Sequence, residues 1–334
     1  MASGSPGADA TEIARVAAGF GQRLADRVRE RSSQLVLGLD PDPSRLWPGA
    51  LAAAEVDSAA SAAGGAGGAG GAGERAARAV LAHCRLVIEA VATECVAVKP
   101  QAACFERLGA PGWAALEQLV GIAREHGLLV FADAKRGDVD VTAVAYGQAF
   151  FGLTPTPFGP VPGLGVDALT VNPLLGRDSL LPLVSAASAA GAGLFVLVRT
   201  SNPGAADIQD QTLRDGVSVS DRLAALVAAL GADHTGESGI SAIGAVAGAT
   251  APEHLERLRR AMPAAPFLLP GVGAQGGSVN DLAPAFAPGP AGGLVAASRG
   301  IVYAFEESGQ EPERAARAEA ARLRELAWSV AGQR

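Results

Sequence analysis

The stretch FADAKRGDV, Phe131 to Val139, sets Asp133, Lys135 and Asp138 close together at the end of an apolar run, with Arg136 between them. A carboxylate beside an ammonium holds both groups charged, and a cation fixed in place can stabilise negative charge as it develops on a substrate. An isolated Asp–Lys pair is usually a surface ion pair of little worth. Here the pair follows the apolar LLVF and coincides with charged residues at two other strand ends, the pattern of an active site. Asp133 and Lys135 are two apart, so on an extended strand both project to one side and Ala134 to the other. Asp138 lies past the strand, where it either joins the site or caps the next helix; Thr142, four residues on, shares its face.

These residues must be positioned by a scaffold, and the chain alternates in a way that predicts one. Short apolar runs, QLVLGL, ECVAVK, LLVFAD, DALTVN, GLFVLVR, SAIGAVAG, PFLLPG and GGLVAAS, are separated by longer stretches with helical spacing. Alternation of this kind denotes a parallel sheet with crossover helices. Eight such units imply an α/β fold, a single (β/α)8 TIM barrel, at a length of 334 residues. An open doubly wound sheet would carry its phosphate loop after the first strand, which instead runs into GLDPDP without G-x-G-x-x-G. An additional N-terminal helix, TEIARVAAGFGQRLADRVRERS, covers one end of the barrel. Residues 1–10 are expected to be disordered and residues 11–334 to form one catalytic domain. Within it, the Gly/Ala-rich segment at 59–73 has almost nothing to bury and is expected to be a flexible surface insert.

In a barrel the carboxyl ends of the strands face the substrate. Those ends carry Asp40, then Lys99, then Asp133 and Lys135, then Asn172, then Arg199 and Thr200. The loops after strands seven and eight, the habitual phosphate site of the fold, read GVGAQGG and SRGI. Glycines let backbone N–H groups approach an oxyanion, Arg299 can grip it with two N–H groups, and Gln275 adds an amide donor.

Composition excludes several classes. A formal charge of −7 argues against a nucleic-acid partner, although one phosphate can still be held locally. No apolar stretch is long enough to span a membrane and no signal peptide opens the chain; Cys84, Cys95 and Cys104 form no C-x-x-C pair, and their odd number fits the cytoplasm. His83, His126, His234 and His254 are dispersed without ligand spacing, so no metal site is expected.

DAKRGDV resembles the D-x-K-x-x-D signature of the orotidine 5′-phosphate decarboxylases, with Val139 where Ile is more usual. LVLGLDPDP, VAVKPQAACFE, VNPLLG, VRTSNPG, PGVGAQGG and SRGI follow in that family's order and resemble its longer, bacterial-type branch. The resemblance covers the chain from about the first strand to the last, excluding the Gly/Ala segment and both termini. It implies decarboxylation of orotidine 5′-monophosphate to uridine 5′-monophosphate in de novo pyrimidine synthesis, with no metal and no organic cofactor. It further implies catalytic roles for Lys99, Asp133, Lys135 and Asp138, with Lys135 the proton donor. Asp40 and Lys99 would hold the ribose hydroxyls, and Gln275 and Arg299 the phosphate. Gln101, Asn172, Thr200 and Ser201 would be further ligand contacts. Asp138 and Thr142 would reach the neighbouring subunit's ligand, which implies a homodimer with shared sites. The rival enzyme reading is a metal-dependent phosphosugar lyase or synthase of the same superfamily. A non-catalytic nucleotide-binding barrel would be expected to have lost the lysine at position 135, and a protein-binding scaffold would rest on the Gly/Ala segment alone.

Overall fold

The structure, a computed structural model, describes residues 6–63, 71–273 and 275–332. Eight parallel strands close into a barrel in chain order: β1 (Leu35–Leu39), β2 (Ala97–Pro100), β3 (Leu129–Arg136), β4 (Ala168–Val171), β5 (Gly193–Arg199), β6 (Ile243–Ala247), β7 (Phe267–Pro270) and β8 (Gly293–Ala297), which pairs with β1. All eight fall on the apolar runs that predict them. Strands of such a barrel are buried on both faces, which is why they read as continuous apolar runs rather than as alternating ones.

The two-residue period still sorts them. Leu35, Leu37 and Leu39 face outward into the main core, where Val80, Cys84 and Val87 of helix α3 (Ala72–Val91) join them. Val36, Ala97, Leu129, Phe131, Ala168, Phe195, Val246, Leu268 and Leu294 belong to a second cluster that fills the barrel. The inward phase of β2 and β3 that buries Ala97, Leu129 and Phe131 carries on to Lys99 and Asp133, so the barrel's own geometry aims both at its mouth.

The N-terminal helix α1 (Pro6–Arg31) closes the opposite end, as expected of it, and is kinked at Gly19. Its Phe20 enters the barrel and meets Phe131 and Phe195 edge-on, with ring centroids 5.8 and 6.0 Å away. Arg23 pairs with Asp167 at 2.6 Å, and Arg31 donates to the carbonyl oxygens of Cys95 and His126, both at 2.7 Å. The Arg31 contacts satisfy backbone acceptors just before β2 and at the end of helix α5 (Ala110–Glu125).

Two expected boundaries differ in the structure. Helix α1 starts at Pro6, inside the segment expected to be disordered to residue 10; residues 1–5 lie outside the described residues. Helix α2 (Pro48–Ala63) extends through 59–63 and α3 opens at Ala72, because the flanks of the Gly/Ala segment are rich in alanine, the strongest helix former. Of the expected flexible insert, residues 64–70 lie outside the described residues. After β7 the chain forms the 3-10 segment Val279–Phe286, which contains Pro284.

Candidate active site

A cleft of about 800 Å³ opens at the carboxyl ends of the strands, within the range of small-molecule sites. It gathers Asp40, Lys99, Gln101, Asp133, Lys135, Asn172, Thr200, Ser201, Gln275 and Arg299, ten of the twelve residues read from the sequence. Asp138 and Thr142 are not on its walls.

Its centre is a charged chain. Lys99 Nζ donates to Asp133 Oδ2 at 2.7 Å, and Lys135 Nζ to Asp133 Oδ1 at 2.5 Å. Thr170 Oγ1 donates to Oδ1 at 2.9 Å, and Gln101 Nε2 lies 3.3 Å from Oδ2. Lys99 and Asp133 are each 7% exposed, whereas the Lys135 side chain is 46% exposed and reaches into the cleft. Burial alone would raise the Asp133 carboxyl, but the charges of Lys99 and Lys135 outweigh it and hold the group well below the usual carboxylate range. Burial likewise opposes the Lys99 ammonium, yet Asp133, and then Asp40, raise it above its ordinary value. The result is a buried carboxylate clasped between two cations.

The reason Lys135 meets Asp133 differs from simple alternation. The β3–β4 register shifts between Ala132 and Arg136, and Lys135 has a positive φ of 49°. A bulge of this kind re-aims a side chain. Arg136 fixes the far side of the bulge: it pairs with Glu106 of the short helix α4 (Ala102–Glu106), donates to the Ala134 carbonyl at 3.2 Å, and lies over the Tyr146 ring.

The loops after β7 and β8 reach the cleft, as their place in a barrel predicts. Gln275 and Arg299 line the cleft, and Arg299 is exposed and has no ion pair among the described residues. Gly271, at the end of β7, has φ of 100°, and a Cβ there would stand 3.2 Å from Gln275 Oε1. At Gly248 a Cβ would come within 2.7 Å of Ser201 Cα, so the chain after β6 approaches Ser201 as only glycine allows.

Two further candidates turn away from this chain's own cleft. Arg199 turns from the cleft to Asp210, with both hydrogen bonds at 2.9 Å, and anchors the loop after β5. Asp138 is not a helix cap: helix α6 (Asp140–Phe150) has Val139 at its N-cap with no capping side chain, and Asp138 accepts the Val139 N–H at 2.8 Å. Thr142 is exposed on the first turn of α6. Sequence reasoning passed over Thr170 and Gln209, both of which line the cleft. Gln209 Oε1 accepts the Thr200 N–H at 2.7 Å. The signal for Thr170 was available: it is the one hydroxyl in the otherwise apolar run ALTV of β4, whose residues are all buried.

Among the described residues, no group of three or more His, Cys, Asp or Glu side chains could hold a metal ion, and no helix is long and apolar enough to cross a membrane.

Residues 33–318 match the family described as the orotidine 5′-phosphate decarboxylase / HUMPS family. The orotidine 5′-phosphate decarboxylase of Rhodopirellula baltica is 45% identical over 223 residues, 67% of this chain and 72% of that protein. The protein of that name from Halorubrum lacusprofundi is 37% identical over 301 residues, 89% of this chain and 92% of its own. The structure of Leishmania donovani OMP decarboxylase superposes with a TM-score of 0.67 at 27% identity, covering 95% of this chain and all of that one (100%). With the barrel, the clasped carboxylate and the family match in agreement, the chain belongs to the orotidine 5′-phosphate decarboxylase / HUMPS family.

Proposed function

We propose that this protein decarboxylates orotidine 5′-monophosphate to uridine 5′-monophosphate and CO2 in pyrimidine biosynthesis. The observation that carries the reading is the buried Lys99–Asp133–Lys135 chain at the mouth of the barrel. When the bond from C6 to the carboxylate breaks, the electron pair stays on C6 in the plane of the ring, where the π system cannot take it up. A cation already in position stabilises that pair with little reorganisation. Lys135 supplies the charge and then its proton, leaving a C6–H bond and a neutral amine. Asp133, held ionised, positions the ammonium through its Oδ1.

Asp40 and Lys99 hold the ribose hydroxyls, Gln275 and Arg299 the phosphate, and Gln101, Asn172, Thr200 and Ser201 complete the contacts. Binding energy from the phosphate, far from C6, closes the loops after β5 and β7 over the ligand and expels water from around the charges. We read the reaction as metal-independent, a reading supported by both Asp133 oxygens accepting from ammonium groups, which already supply the charge that a metal ion would bring. That separates this reading from a metal-dependent phosphosugar synthase.

The active form is a homodimer with shared sites. Asp138 and Thr142 stand outside the cleft, beside exposed Val139 and Val141 at the start of α6, and Val141 is 81% exposed. Leu174, 79% exposed, carries the apolar surface onto the rim of the cleft. A second copy seated there would cover the apolar side chains and bring its Asp138 and Thr142 to this ligand. Three free cysteines, Cys84, Cys95 and Cys104, accord with a reducing cytoplasm.

The test is incubation of the purified protein with orotidine 5′-monophosphate in excess EDTA, followed by absorbance and mass. Formation of uridine 5′-monophosphate supports the reading. Folded protein that converts none refutes it, and conversion restored only by added Mg²⁺ refutes metal independence.

A further inference from the structure

The bulge in β3 poses a problem that the strand itself does not solve. A left-handed residue other than glycine costs about 1–2 kcal/mol, and the register shift takes the Lys135 N–H out of the backbone ladder. Its acceptor is a side chain on the next strand: Thr170 Oγ1, at 2.9 Å. A backbone N–H can only donate, so at this contact the hydroxyl must accept. Its own hydrogen is then free for one partner, and Asp133 Oδ1, an oxygen that can only accept, lies 2.9 Å away. The direction of both bonds is therefore determined.

Thr170 is 1% exposed, and its β-branched side chain favours few χ1 rotamers. One rigid hydroxyl thus touches the backbone of Lys135 and the carboxylate of Asp133. With Lys135 Nζ also on Oδ1, and Lys99 and Gln101 on Oδ2, the Asp133 carboxylate has a donor on every side and cannot rotate.

We propose that Thr170 is a positioning residue for the reaction: it latches the β3 bulge and the Asp133 carboxylate together, and so sets where the Lys135 ammonium stands relative to C6. The role assigned to Thr170 needs no contact with the reacting carbon or the leaving CO2: the hydroxyl acts through Lys135 and Asp133. The inference rests on the decarboxylase reading for its kinetic consequence but not for the latch itself.

The test compares wild type with Thr170→Val, which keeps the shape and removes the hydroxyl, and with Thr170→Ser, which keeps the hydroxyl. In folded Thr170→Val, kcat is expected to fall about 100-fold, the size of effect that a misplacement near 1 Å produces, with KM changed only a few-fold. Thr170→Ser should recover most of the loss. A Val variant with wild-type kcat overturns the proposal, as does a Ser variant as impaired as Val, because then the hydroxyl is not the active feature. If Thr170→Val does not fold, Thr170→Cys, with its weaker hydrogen bonding, takes its place; wild-type kcat in that variant also overturns the proposal. Amide exchange at Lys135, followed by NMR without substrate, reads the latch independently of turnover. Protection lost on removing the hydroxyl supports the latch even if wild type proves inactive, an outcome that would defeat the decarboxylase reading alone. Unchanged protection refutes the latch.

Discussion

Replacing Asp133 with Asn removes the charge that lets Lys99 remain an ammonium at 7% exposure, while nearly preserving shape. The two lysines are affected unequally. Lys135, with its side chain 46% exposed, can turn toward water, and Lys99 cannot. Removing one partner of a buried ion pair costs about 3–5 kcal/mol. Lys99→Met is milder, because Asp133 keeps Lys135, Thr170 and Gln101 as donors. It forfeits one hydrogen bond between charged groups, about 1.5–3 kcal/mol, offset in part by the buried apolar chain. The double variant should lose less than the sum of the two by about 2 kcal/mol, since the second change finds its partner already gone.

The dependence on pH sharpens this prediction. In wild type the Asp133 carboxyl is depressed, so its contribution is complete above the unfolded-state value near ~3.9 and fades as pH falls through the folded value. Lys99 is raised, so its contribution is complete below about 10.4 and fades as pH rises through the folded value. Wild-type stability owed to this pair is therefore flat from neutral to mildly alkaline pH. In Asp133→Asn, burial becomes the dominant influence on Lys99 and disfavours its charge. The unfolded chain then binds more protons than the native one, and stability climbs with pH by up to about 1.4 kcal/mol per unit. Urea unfolding of the four proteins from pH 6 to 10 measures all of this. An Asp133→Asn variant as stable as wild type, with a parallel pH profile, or a larger loss for Lys99→Met, would refute the reasoning.

Arg299→Ala should lower kcat/KM at least about 100-fold by removing a charge-assisted grip on phosphate, with the melting temperature unchanged; unaltered kinetics would remove Arg299 from the site. Mixing inactive Lys135→Ala and Asp138→Ala proteins should restore roughly one quarter of wild-type activity, because half of the dimers become hybrids with one intact site each, and an assay that stays at zero after subunit exchange would count against shared sites. Arg259, buried and donating to the carbonyl oxygens of Met262, Ala265, Ala285 and Gly292 at 2.7 to 2.9 Å, should be intolerant of Met: about 3 kcal/mol or more lost on chemical denaturation, with several acceptors left unpaired. A loss below about 1 kcal/mol would mean that water replaces it.

The barrel was legible because its signal is local. Each strand is a short apolar run, and the two-residue phase that carries Leu129 and Phe131 inward also delivers Asp133. The site was legible to the extent that it follows from that phase, and the loops GVGAQGG and SRGI declare themselves by composition. What escaped depends on partners distant in sequence. The bulge at Lys135 is completed by Thr170, thirty-five residues away, so regular alternation gave the right neighbours for an incomplete reason. Arg199 stood at a strand end like its neighbours, and only the folded loop shows its guanidinium committed to Asp210. Asp138 looked like a cap because a helix follows, but the helix begins at Asp140, a residue too late for Asp138 to serve.

In the proposed reaction a cation held by Asp133 stabilises and then protonates C6. Its most direct test is turnover by Lys135→Ala beside wild type, with uridine 5′-monophosphate affinity measured on both. In Lys135→Ala, kcat is expected to fall by at least about 10⁴-fold, the upper range for a lost proton donor, while affinity for the product nucleotide changes by less than about tenfold. A Lys135→Ala protein that keeps turnover within tenfold of wild type would contradict it.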